Sequence, residues 1–276
     1  MANPVPFVLL VVPPISRFVL VHRLQKRQTM KKLTSWVTLA AIAVIGVAPA
    51  LAQDPAAPSP VWTGNFGGGL AWTNGNSDTK NINLSFGLLR DPKTRNVIKL
   101  NGLYLRGDKD KTAIIDRSTF LLRDEYTFTG RLFGFGQVDY LRDQFKEIIY
   151  LWSPTVGIGY KLWNTDAATL TIDNGVGGVW ERNPGRNTRG SGAYNAAERL
   201  NWKMSPTATI TQSVSGLWKT NEWSDALYNM AVGIAASVTQ KTQLKFEIND
   251  LYKNRPATAL LKKNDVAVIT AFVVKF

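Results

Sequence analysis

Tyr228-Asn229-Met230-Ala231-Val232-Gly233-Ile234-Ala235-Ala236-Ser237-Val238 puts every large apolar side chain on an even position and small or polar ones on the odd positions. Residues two apart share one face of a strand, so this period builds a ribbon with one greasy and one wet face. The same parity recurs upstream in Ile82, Leu84, Phe86 and Leu88, and in Trp152, Pro154, Val156, Ile158, Tyr160 and Leu162. The odd positions between them are mostly polar or small, as in Asn81, Asn83 and Ser85 or Thr209, Thr211 and Ser213. Twelve such segments can be marked, approximately 62–73, 80–90, 95–106, 116–129, 131–143, 149–162, 169–181, 192–203, 206–218, 226–239, 242–252 and 264–276. Each meets or slightly exceeds the ~9 to 11 residues a tilted strand needs to cross an outer membrane.

A soluble sandwich and a membrane barrel both bury this pattern, the first facing its apolar side inward and the second outward. Three features favour the membrane barrel. Aromatic residues gather at segment ends, with Trp72, Tyr104, Tyr140, Trp152, Trp180, Trp218, Tyr228 and Tyr252 toward one rim and Trp62, Tyr126, Phe128, Tyr160, Trp202 and Phe276 toward the other. Such amphipathic rings prefer headgroup depth. Connections alternate tight (90–94, 129–130, 164–168, 204–205, 240–241) and long (74–79, 107–115, 144–148, 182–191, 219–225, 253–263), as in barrels with short periplasmic turns. The final segment, Val266, Val268, Thr270, Phe272, Val274 and Phe276, resembles the terminal signal of outer-membrane proteins. The expected fold is an all-β, up-and-down antiparallel transmembrane barrel of twelve strands spanning 62–276. Asp124 falls on the even face of its segment between Leu122 and Tyr126, where a local bulge or register shift would turn it inward.

The 276 residues carry a formal charge of +13, no cysteine and one histidine, His22. From Met30 a basic start (Lys31, Lys32), an apolar run from Leu33 to Val47 and Ala50-Leu51-Ala52 read as a signal peptide cleaved after Ala52. Residues 1–29 read as a mis-assigned upstream extension and 53–61 as a flexible lead-in. Loss of residues 1–52 removes six basic and no acidic residues and lowers +13 to +7. Export then argues against nucleic acid as a partner. A mature chain lacking histidine and cysteine lacks the commonest proton shuttles and transition-metal ligands, so no enzyme, metal or cofactor is expected. Carboxylates such as Glu125 and Asp139 show no spacing that indicates catalysis, which leaves a lipid-modifying enzyme as a distant third reading.

Specific stretches also look familiar. Trp62-Thr63-Gly64, Asn74-Gly75-Asn76-Ser77-Asp78-Thr79, Phe133-Gly134-Phe135-Gly136-Gln137-Val138-Asp139-Tyr140-Leu141-Arg142-Asp143 and Gly157-Ile158-Gly159-Tyr160 resemble the YdiY-like "putative salt-induced outer membrane protein" family. That resemblance covers 62–276 and implies an outer-membrane barrel with a link to salt or osmotic response. The family has no known biochemical function and carries no catalytic residues to transfer.

Asn74–Thr79 reads as turn chemistry, and Gly134, Gly136, Gly157, Gly159, Gly175 and Gly177 as easing strand bending. The odd-face candidates for the lumen are Lys99, Arg123, Glu125, Gln137, Asp139, Asp173, Glu181, Arg199, Lys245 and Glu247. They either pair and fill the interior or line a hydrated path. Two outer loops carry bases and no acid: Arg182, Arg186 and Arg189, and then Lys253, Arg255, Lys262 and Lys263. Such loops read first as solvated charge clusters, with binding of lipopolysaccharide phosphates or attraction of anionic solutes as the functional alternative. The expected protein is a monomer of the Gram-negative cell outer membrane, inserted by the barrel assembly machinery through the strand ending at Phe276. Its expected role is a narrow passive channel for small hydrophilic solutes or ions, with a non-conducting structural or surface-interaction barrel as the alternative.

Overall fold

The computed structural model describes residues 61–73, 79–258 and 260–276. The leader, its cleavage site, the lead-in to residue 60 and the turn at 74–78 lie outside the described residues. Twelve strands follow in order: β1 (Trp62–Thr73), β2 (Thr79–Arg90), β3 (Asn96–Lys109), β4 (Thr112–Thr127), β5 (Leu132–Asp143), β6 (Ile148–Asn164), β7 (Ala168–Arg182), β8 (Arg189–Lys203), β9 (Ala208–Lys219), β10 (Glu222–Ser237), β11 (Thr242–Lys253) and β12 (Asn264–Lys275). Each strand is antiparallel to its chain neighbour, and β1 meets β12 to close the barrel.

Parity orders the two surfaces. Val156, Ile158, Val176 and Val268 are each more than half exposed on the outside, while Leu105, Gln137, Asn195 and Asn249 are buried inside. Parity flips only past register breaks. Trp163 follows the break at Lys161 and faces out, and odd-numbered Trp223, beside the break between Glu222 and Ala226, faces out against Tyr194. Asp124 needs no bulge, because its strand stays in register with both neighbours, Ile98 and Gly136. It remains outside, three residues from the short-turn end, where Asn96 Nδ2 donates to it at 2.5 Å.

Two connections are shorter than expected. The 107–115 link is a two-residue turn at Asp110 and Lys111, both in the left-handed region (φ 49° and 64°), and the 219–225 link is a turn at Thr220 and Asn221. Polar residues there continue the hairpins instead of leaving them, so β3, β4 and β10 rise to 14, 16 and 16 residues. On the opposite side, Asp91 accepts from the Lys93 N–H at 2.9 Å and from its Nζ at 2.8 Å. These bonds tighten the β2–β3 turn and hold the Asp91 carboxyl below its usual value.

The rims are aromatic as expected. Toward the long-loop end Tyr140 packs on Trp152 at 4.6 Å, and Trp223, Tyr194, Trp218, Tyr228 and Tyr252 form a continuous run at 5.4 to 6.3 Å. Within that run Trp218 Nε1 donates to Tyr228 Oη at 3.1 Å. Tyr126 and Phe128 meet at 5.7 Å near the other end.

Rings also lie on bare backbone. Phe86 stands opposite Gly102, Phe133 opposite Gly159 and Phe135 opposite Gly157. A Cβ at these glycines would sit 2.2, 2.3 and 2.8 Å from the facing ring. These glycines therefore serve as seats for rings, a role beyond strand bending, and such seating stabilises sheets. Phe276 does the same on Gly64 at the β1–β12 junction, where the two residues exchange backbone bonds of 2.8 and 3.0 Å.

Candidate functional site

The candidate site is the barrel lumen, and all ten odd-face candidates point into it. Seven of them gather on the wall formed by β3 to β8. Arg123 donates to Glu125 at 2.7 Å, to Asp173 at 3.1 Å and to Gln137; Lys99 reaches Glu125 at 2.7 Å; Arg199 also bonds Asp173. Gln137 Nε2 donates on to Asp139 at 2.7 Å. Three cations face three carboxylates, so the cluster is neutral. Local sequence explains the packing: Phe135 fills the glycine seat on β6, and the Arg123 guanidinium stacks over its ring at 3.8 Å. Arg123 and Asp173 are buried to 2% and 1% exposure, a depth at which an unpaired charge is costly. Lys245 and Glu247 pair separately at 2.7 Å on β11.

Glu181 belongs to a second group at the long-loop end. Its carboxylate accepts from Lys219 on β9 at 2.8 Å and from Lys253 on β11 at 3.0 Å, and both lysines also reach Asp225 on β10. Lys253 is thus not an outer-loop cation: it ends β11 on the odd face, 2% exposed, because the strand runs one residue further than its apolar pattern. Arg255 is not a lone base either, since it pairs with Glu222 of the neighbouring hairpin. Arg186 donates to the Ala257 carbonyl at 3.2 Å, which ties the two long loops together. Arg182, Arg189, Lys262 and Lys263 are exposed.

A third group crosses the lumen nearly from wall to wall. Arg117 on β4 donates to Asp143 at 2.7 Å and to Asn249 on β11 at 3.2 Å. Asp143 also caps a short 3-10 turn, Gln144–Lys146, and the turn folds Lys146 inward to Asp265 on β12 at 2.9 Å. Among these polar bridges lies an apolar layer of Leu141, Leu151, Val179 and Leu251, with Leu217 and Leu227 packed against it. These side chains come from six of the twelve strands and narrow the loop-side half of the lumen along the β5–β11 wall. Parity alone marks Arg117, Asp143 and Asp265, which sit on the odd face near the ends of marked segments yet are missing from the lumen candidates, whereas Lys219 and Asp225 are odd-numbered too but fall in the 219–225 stretch read as a loop. Lys146 lies off any strand and offers no such signal.

Below the layer is a cavity of about 640 Å³. It runs from Asn65 and Lys275 at the short-turn end up to Leu141 and Leu251, past Asp139, Asn195, Arg199, Lys245 and Glu247. Hydroxyls and amides line much of it, among them Thr211, Ser213, Ser215 and Asn229, so it suits a hydrated polar solute. The β12 side is different. Ala267, Ile269, Ala271 and Val273 are buried inside and pack with Leu103, Leu105 and Ile115. The reading of the odd face as mostly small or polar misses this patch, because these inward residues are apolar on a strand whose outward residues are apolar too. Among the described residues, no group of three or more histidine, cysteine or acidic side chains could hold a metal.

Residues 67–276 match the family described as "Protein of unknown function, DUF481". No curated protein matches the chain. Among solved structures, the NanC porin is 8% identical over 77% of this chain and 97% of its own, at a TM-score of 0.43. An outer membrane channel from Pseudomonas putida F1 is 13% identical over 81% and 100% at 0.48, and the translocator domain of autotransporter NalP from Neisseria meningitidis 10% over 78% and 86% at 0.43. Likenesses this distant carry no functional weight. A match over nearly the whole described barrel does carry the family, and this chain belongs to the DUF481 family of proteins of unknown function.

Proposed function

We propose that this barrel sits in the outer membrane of a Gram-negative bacterium and works as a narrow channel for small hydrophilic solutes or ions, resting with its loop-side end shut. The outward surface supports the location: an apolar band between two aromatic rims suits acyl chains and headgroups. The observation that carries the channel reading is the polar cavity of about 640 Å³ ending at the leucine layer. Twelve strands enclose a lumen intermediate between side-chain-filled and open barrels. Arg199, Lys245 and Lys275 give the cavity wall its positive charges, and exposed Arg182, Arg189, Lys262 and Lys263 offer sites for lipopolysaccharide phosphate. The reading includes a monomeric barrel, inserted by the assembly machinery through the strand ending at Phe276, and a role in salt or osmotic stress by resemblance.

Planar-bilayer recording of the purified protein tests it. Discrete openings, rare at rest, are the expected result. Silence at every salt and voltage would overturn the channel and favour a non-conducting structural barrel. The wall-to-wall Arg117–Asn249 and Glu181–Lys253 bridges lend that second reading its support.

A further inference from the structure

The β1–β12 seam is closed over only part of its height. Its registered pairs run from Asn65–Lys275 to Gly68–Phe272, extended by Gly64–Phe276. On their other sides both strands stay paired to the loop-side end, β1 with β2 up to Thr73–Thr79 and β12 with β11 up to Tyr252–Asn264. Above Gly68, no further β1–β12 pair continues the register among the described residues, although Gly69 still lies against the Thr270 carbonyl. Backbone groups in hydrocarbon need partners, so an open stretch of ladder at membrane depth calls for an explanation.

The residues around it are suited to apolar traffic. Outside stand Leu70, 82% exposed, with Val266 and Val268. Inside is the apolar patch of Ile269, Ala271, Leu103 and Leu105, which leads by Leu103 and Val273 into the 640 Å³ cavity. Nowhere else do outward and inward faces of one strand both read apolar over such a length: Val266 to Val274 alternates with Ala267, Ile269, Ala271 and Val273. At the threshold, Asn83 of β2 reaches across β1 and donates through Nδ2 to the Thr270 carbonyl at 3.2 Å. It can do so because position 69 is glycine, where a Cβ would lie 1.9 Å from that carbonyl oxygen. Asn83 Oδ1 is buried without a hydrogen-bond partner. One side-chain bond thus stands where a strand ladder would be, and it breaks and reforms more easily than a ladder.

We infer that a single-chain amphiphile from the surrounding bilayer enters the lumen through the loop-side half of the β1–β12 seam. Its tail lies along the β12–β3 apolar patch and under the leucine layer, and its head sits among the amides and hydroxyls of the β8–β10 wall. The cavity lies within the ~300 to 1,000 Å³ typical of ligand sites. This goes beyond the channel reading, since it names a second route, from lipid, into the same space.

The test uses the absence of cysteine in the chain. A Leu70→Cys/Thr270→Cys pair, placed where the register would continue, is oxidised to lock the seam in protein refolded into phosphatidylcholine vesicles. Dansyl-labelled undecanoate serves as the probe. The expected result is saturable, blue-shifted binding near one probe per barrel, with entry slowed at least about tenfold by the lock and restored by dithiothreitol. Heat-modifiable migration on gels verifies folding of both states. A second variant, Leu103→Gln, leaves the seam free and weakens binding without slowing entry. Probe uptake that does not saturate, or entry equally fast in locked and reduced protein, overturns the inference. Silent bilayers alongside lock-sensitive binding remove the channel and leave the amphiphile route standing. Channel openings without saturable binding do the reverse.

Discussion

Glu181→Ala tests whether the loop-side bridges hold the lumen shut. The carboxylate accepts from Lys219 Nζ at 2.8 Å, Lys253 Nζ at 3.0 Å and Asn183 Nδ2 at 3.0 Å, with its own side chain 4% exposed. Removing it leaves two lysines sharing Asp225, with Lys253 still buried. Breaking a buried pair by deleting one partner costs about 3 to 5 kcal/mol, and the retained bonds to Asp225 put this case near the lower end. If the closed form bears that cost and an open, hydrated form does not, about 3 kcal/mol moves the opening equilibrium by roughly two decades. Single-channel recording reads this directly as open probability, and Glu181→Gln, which keeps the shape and some hydrogen bonding, falls between. Unchanged open probability together with a lower urea midpoint would refute the reasoning, because the bridges would then hold the fold and not the closure.

Two further outcomes follow from the same geometry. Gly64→Val places atoms where the Phe276 ring lies, 2.4 Å from the first added carbon, and is expected to cost about 1 to 3 kcal/mol as overpacking. Urea titration in vesicles reads that loss, and an unchanged midpoint would show that the terminal ring contributes nothing to closure. Arg199→Ala removes a lumen cation that is 35% exposed and leaves Asp173 its Arg123 partner. Reversal potentials across a KCl gradient should shift toward cation preference with little change in stability, and an unmoved potential would take Arg199 off the ion path.

The strands were legible because period two is a local signal: twelve segments marked by parity became twelve strands, with ends shifted by a few residues. Connection lengths were less so. Gly107 to Lys111 is polar and reads as loop, yet Asp110 and Lys111 turn tightly and the residues before them stay in the ladder. The lumen candidates were legible as a set because inward position follows from parity alone. Their partners were not, since Arg117 and Asn249 lie 132 residues apart and meet only when the sheet closes. The leucine layer escaped for another reason: parity registers contrast between faces, and Leu141, Leu151 and Leu251 are apolar residues on the face expected to be wet.

The rings seated on glycines have a consequence for how the protein is made. Phe86 on Gly102, Phe133 on Gly159 and Phe135 on Gly157 each join a bulky residue on one strand to a bare one on the next, directly across. A slip of two positions preserves the inside–outside pattern and would go unpunished by hydrophobicity, but in each pair of strands it drives at least one ring onto a side chain. These seats therefore favour the native alignment of the β2–β3 and β5–β6 hairpins over a slipped one. Phe276 on Gly64 extends the same check to the seam, where β12 meets β1 and closes the barrel.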